Sequence, residues 1–96
     1  FSLADSATSA YHLFVIKVKE RKELQSKLSE AGIGTLIHYP IPPHLQECYA
    51  HLGLKKGDFP IAEYLATSVL SLPLFIGMNK ESTSIIAKTF NQTFTI

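Results

Sequence analysis

An α+β domain, with a small sheet of about three strands covered by helices, is the fold that this 96-residue chain predicts. Residues 11–19 alternate apolar and polar side chains as a half-buried strand does. Residues 21–31 then change to a helical repeat, and segments of these two kinds continue in the order β-α-β-α-α-β-α. A hydrophobic fraction of 46% suits a folded domain rather than a disordered segment. A chain this short makes one domain at most.

The first strand rests on Phe14, Ile16 and Val18 facing one way and Lys17 and Lys19 the other. In the helix over 21–31, Leu24, Leu28 and Ala31 share a stripe, and Glu23 lies four residues before Lys27. Gly32 stands where a left-handed residue stops a helix. Residues 33–37 read as a second strand, and Pro43 opens a short helix through about Leu52, ended by Gly53. Lys55 to Asp58 is a polar turn. Pro60 starts another helix, with Ile61, Leu65 and Val69 on one stripe. Residues 70–75 form an extended apolar segment that Pro73 confines to a sheet edge or strand end. Asn79 caps a last helix in which Ile86, Phe90 and Phe94 repeat, with the β-branched Thr89 and Thr93 weakening its end. The helices are expected on one face of the sheet, and strand directions stay open because hairpin signals are missing.

Composition excludes several functions. Net charge is +1, and the eight lysines and one arginine do not cluster among aromatics, so no nucleic-acid footprint is present. No apolar run reaches the roughly 18–20 residues of a membrane span. The single Cys48 rules out an internal disulfide and suits a reducing, cytoplasmic setting. The chain begins without Met or a signal segment, and residues 1–10, mostly small and polar, read as a connector from a longer protein. Residues 11–96 would be its carboxy-terminal domain.

Candidate chemistry concentrates in residues 32–46. A strand-like run ends in His38 and Tyr39, and Pro40, Pro42 and Pro43 then hold the backbone extended. A ring pair on so stiff a corner has little entropy to lose on meeting a ligand; a plain structural turn is the other reading. On a helix, His44, Cys48 and His51 share a face at zinc-binding spacing, but His38 is the sole evident fourth ligand. Without paired cysteines, no metal site is expected, and Cys48 reads as a small hydrophobe on a half-buried face. Glu20, Glu23, Glu30 and Glu63 read as solvated helix faces, and no phosphate-binding glycine loop occurs.

Tyr11-His12-Leu13-Phe14-Val15-Ile16, Arg21-Lys22-Glu23-Leu24, the stretch over 32–46, Gly57-Asp58-Phe59-Pro60-Ile61-Ala62-Glu63 and Leu70-Ser71-Leu72-Pro73-Leu74 fall in register from residue 11 to about residue 88. Together they resemble the carboxy-terminal small domain of the DegT/DnrJ/StrS-type sugar aminotransferases. Ile76, where a second proline often follows, and the residues after Lys88 depart from the pattern. The resemblance implies the aspartate aminotransferase fold and pyridoxal phosphate as cofactor. It also implies transfer of an amino group, usually from glutamate, to a nucleotide-linked keto-sugar, closest to dTDP-linked 3-keto-6-deoxy sugars. Family members are commonly homodimers, and their cofactor lysine belongs to the large amino-terminal domain. No lysine here sits in a matching motif, so no residue of this chain is expected to be catalytic or to bind the cofactor, and the chain alone is expected to be inactive.

By the same resemblance, His38 and Tyr39 face the substrate. His44 and Gln46 follow, with local capping of the short helix an equal reading of both. Tyr11, Phe14, Leu72 and Phe75 are expected on an exposed apolar surface that meets the missing domain or a second copy. A free-standing ligand-binding or regulatory module without catalysis is the alternative to an enzyme fragment.

Overall fold

The computed structural model describes residues 3–93. Its elements are β1 (Phe14–Lys17), α1 (Arg21–Glu30), two 3-10 turns (Pro43–Leu45 and Glu47–Leu52), α2 (Pro60–Ser68), β2 (Val69–Leu72) and α3 (Lys80–Thr93). β1 and β2 pair antiparallel, with Phe14 opposite Leu72 and Lys17 opposite Val69. The ladder runs on for one bond past β1, where the Val18 amide donates to the Ser68 carbonyl at 2.9 Å.

The expected three-stranded sheet is therefore two strands and one bridge. Leu36 alone of residues 33–37 pairs with β2, exchanging both backbone bonds with Ser71 at 2.8 and 3.2 Å. The helix stop leaves no room for more. Gly32 takes φ +76°, its amide donates to Ser29, and the Ile33 amide donates back to Leu28 at 2.8 Å. That is a complete Schellman closure of α1, with Leu28 and Ile33 both buried as its apolar contact. Ile33 belongs to the helix cap, and the proline corner begins at His38.

Leu24, Leu28, Ile33 and Leu70 form the core, with Ile16, Val18, Ile37, Leu72, Ile86 and Phe90 packed around them. Neighbouring strand residues point to opposite faces, so Leu70 turns to α1 while Val69 and Ser71 turn away from it. Those two are buried as well. On that face Lys17 Nζ lies 5.7 Å from the ring centre of Tyr64 in α2, and α2 runs into β2 with no intervening loop. The packed core thus joins α1 and α3 to the Leu70 face, while the other face borders an open groove beside α2. The expected α2 stripe also fails: Ile61 is exposed, Val69 belongs to β2, and Ala66 and Ser68 are the buried residues.

Asn79 does cap α3, its Oδ1 accepting from the Ser82 amide at 2.8 Å. Thr89 and Thr93 donate back to carbonyls four residues earlier. Phe94 lies outside the described residues. Tyr11, Phe14 and Phe75 are exposed as expected, whereas Leu72 packs against the core. No helix among the described residues is long and apolar enough to cross a membrane.

Candidate functional site

The proline corner forms one wall of an open groove of about 820 Å³. Val15, Val69, Leu65 and Ala66 supply much of its apolar lining, and Tyr11, His38 and Tyr39 supply ring-borne polar atoms. The His38 and Tyr39 rings meet edge to face at 5.6 Å between centres, and the peptide bond joining them is cis. Tyr39 is 68% exposed, with its ring free to meet a ligand. His38 is half-buried, its Nδ1 2.9 Å from Ser71 Oγ. It also borders a second cavity of about 420 Å³ with His12, Thr35 and Leu36.

His44 is placed differently. The residue is 8% exposed, and its ring packs on Phe59 at 4.9 Å between centres. It borders a separate apolar pocket of about 330 Å³ with Tyr49, Leu52 and Leu54. Nε2 lies 3.0 Å from Glu63 Oε1, which also accepts from the Gly57 amide at 2.7 Å. Gln46 donates from Nε2 to the Ile41 carbonyl at 3.3 Å, tying the corner to the turn that follows. The structure thus brings His38 and Tyr39 into one groove and turns the hydrogen bonds of His44 and Gln46 onto the protein itself.

The expected helix through Leu52 is instead two 3-10 turns, broken at Gln46, whose backbone is extended (φ −73°, ψ 142°). The face shared by all three of His44, Cys48 and His51 does not form: the break at Gln46 separates His44, which is buried, from Cys48 and His51, which are exposed on the second turn. Cys48 is exposed rather than half-buried. No group of three His, Cys, Asp or Glu among the described residues is placed to hold a metal ion.

Glu63 is not a solvated surface residue: it joins α2, the Gly57 turn and the proline corner. The Gly57 amide, then the His44 ring and the Phe59 backbone, hold its carboxyl below the ordinary 4.5, against an opposing pull from burial. Between that lowered value and 4.5 the unfolded chain holds the proton and the folded chain does not. Stability from this carboxylate is therefore complete above 4.5 and fades as pH falls through the lowered value. Glu63→Gln is expected to flatten the acid limb of stability against pH and to speed amide exchange at Gly57. Denaturation at several acid pH values and hydrogen exchange would measure both, and an unchanged limb with a still-protected Gly57 would contradict the assignment.

Spacing along the chain gave no signal for Tyr11, Glu63 or Ser71, which reach the site only through tertiary pairing. The pyridoxal phosphate implied by the resemblance needs an amine and anion-binding donors. Among the described residues lining the groove there is no lysine or arginine. Arg21 donates to backbone carbonyls, and Lys27 and Lys55 pair with Glu23 and Asp58. The groove does not seat that cofactor with these residues.

Known proteins similar to this chain are longer than it. The erythromycin biosynthesis sensory transduction protein EryC1 of Saccharopolyspora erythraea is 49% identical over 83 residues, 86% of this chain and 23% of its own length. A dTDP-3-amino-3,6-dideoxy-alpha-D-galactopyranose transaminase of Aneurinibacillus thermoaerophilus is 40% identical over 91 residues, 95% of this chain and 24% of its own. The crystal structure of S. venezuelae DesV in complex with a ketimine intermediate superposes with a TM-score of 0.88 at 34% identity, over 95% of this chain and 24% of DesV. The chain thus spans about a quarter of the length of these relatives. The profile of the DegT/DnrJ/EryC1/StrS aminotransferase family matches residues 2–91, taking in most of the stretch read as a connector and passing Lys88. With nearly its whole length matched and its fold shared, the chain belongs to the DegT/DnrJ/EryC1/StrS aminotransferase family.

Proposed function

We propose that this chain is the carboxy-terminal small domain of a pyridoxal phosphate-dependent transaminase, with residues 1–10 the connector and residues 11–96 the domain. The whole enzyme moves an amino group from glutamate to a nucleotide-linked keto-deoxy-sugar, a dTDP-3-keto-6-deoxyhexose, in surface-polysaccharide or amino-sugar biosynthesis. It works in the cytoplasm as a homodimer. The carbanion chemistry belongs to the cofactor, which the rest of the enzyme holds. This domain supplies the sugar-side wall of the pocket.

One observation carries the reading: His38 and Tyr39 present two polar rings at a stiff corner of a groove whose other walls are mostly apolar. Few, well-placed polar groups in an apolar concavity are what small-molecule sites use for orientation. An imidazole and a phenol can both bond sugar or phosphate oxygens. His44 and Gln46 serve the same site by fixing the corner through Glu63 and Ile41. The names of relatives that make dTDP-3-amino sugars support the choice of substrate.

In the whole enzyme, His38→Ala and Tyr39→Phe are each expected to raise KM for the nucleotide sugar by about 3- to 10-fold, the worth of one hydrogen bond. The turnover number should change less, because both contacts exist before the transition state. Steady-state kinetics checks this, and an unchanged KM in both variants would refute the role.

A further inference from the structure

The hydroxyl that holds His38 has one hydrogen-bond partner among the described residues, and that partner is the His38 ring. Ser71 is 5% exposed in β2, with its backbone amide and carbonyl both bonded to Leu36. Its Oγ carries one proton, and Nδ1 of a neutral imidazole either donates or accepts. With the ring proton on Nδ1, the imidazole would donate to Oγ and the proton of the largely buried serine, which edges the smaller cavity, would be left without an acceptor among the described residues. Buried polar groups are seldom left so. The alternative satisfies both atoms: Ser71 donates, Nδ1 accepts, and the ring proton sits on Nε2. Nε2 has no partner among the described residues, and the ring borders the groove and the smaller cavity beside it.

We infer that Ser71 is a positioning residue that locks His38 in its Nε2–H tautomer, so that the imidazole offers the groove a hydrogen-bond donor and meets an acceptor oxygen of the ligand. This rests on the proposed substrate contact of His38 and adds its polarity. Phosphate and sugar oxygens share that acceptor chemistry. A ligand that could only donate at this point would find nothing to bond.

The tautomer is read on the ligand-free whole protein, labelled with ¹⁵N in the histidine rings, at alkaline pH. His38 Nδ1 is expected unprotonated and Nε2 protonated. Ser71→Ala should move the ring to a mixture of tautomers, and Ser71→Thr, which keeps the hydroxyl, should restore it. A proton on Nδ1 in the parent protein would overturn the inference whatever the kinetics show.

In activity measurements Ser71→Ala is expected to raise KM by about 3- to 10-fold. Ser71→Thr should recover most of that, and Ser71→Ala should add nothing in a His38→Gln background. A rise in KM with the tautomer unchanged would assign the effect to packing and overturn the inference. The stated tautomer, sensitive to Ser71→Ala but with KM unmoved, would uphold the assignment and refute the proposed substrate contact instead. Inhibition by dTDP separates the acceptors: weakened in Ser71→Ala, it points to a phosphate oxygen, and unchanged, to the sugar.

Discussion

Leu70→Ala is expected to remove about 2–5 kcal/mol of folding stability, the range for emptying a leucine-sized volume in a close-packed core. Leu70 is fully buried, as are Leu24 and Leu28 of α1. It stands opposite Ile16 of β1 and lies in one cluster with Leu24, Leu28 and Ile33. It therefore joins the sheet to the helix that covers it. A small chain has few such contacts to spare, and the surroundings have little freedom to collapse around the void. Ile61→Ala, on the exposed side of α2, should stay within about 0.5 kcal/mol and serves as the control. Chemical denaturation measures both. A loss below about 1 kcal/mol for Leu70→Ala would mean that the core closes over the gap more freely than its burial implies.

The features legible in the sequence are those that local chemistry fixes. Gly32 ends α1 because only a left-handed residue lets the Ile33 amide reach the Leu28 carbonyl, and that requirement shows as a glycine after the last apolar repeat. Asn79 caps α3 through a bond three residues long. The His38–Tyr39 corner is likewise local, since three prolines and two rings follow one another in the chain. What escaped depends on pairing across the fold. Ser71 lies 33 residues from His38 and Glu63 lies 19 from His44, so no spacing rule connects them. Residues 33–37 carry strand-like composition, yet the helix cap claims Ile33 and the corner claims His38, leaving Leu36 to make the one pair. Cys48 reads as half-buried on an α-helical count, but it lies on a 3-10 turn that buries none of its residues.

Replacing Arg21 by leucine, which keeps the apolar stem and removes the guanidinium, is expected to cost about 1.5–3 kcal/mol, the range for hydrogen bonds to a charged group. Arg21 opens α1, yet its side chain reaches across to donate to the Ala66 and Val69 carbonyls at 2.6 and 3.2 Å. These carbonyls stand where α2 turns into β2, so no next helical turn is present to donate its amides to them. The neighbouring Ser68 carbonyl already accepts from Val18, and the Val69 amide donates to Leu65. The cation also meets the negative end of the α2 dipole. Arg21→Lys should recover only part of the loss, because a single ammonium cannot span two carbonyls as the planar fork does. Salt distinguishes this contact from the exposed Glu23–Lys27 pair: the half-buried guanidinium should lose little in high salt, and the surface pair should lose what small stability it has. The same junction carries Ala66 and Val69 into the groove wall, with Glu63 and Ser71 on either side of it, so a loosened Arg21 contact should also blur the tautomer preference of His38. Denaturation at low and high salt tests the energetic part. A cost below about 0.5 kcal/mol for Arg21→Leu would show that water replaces the guanidinium at these carbonyls.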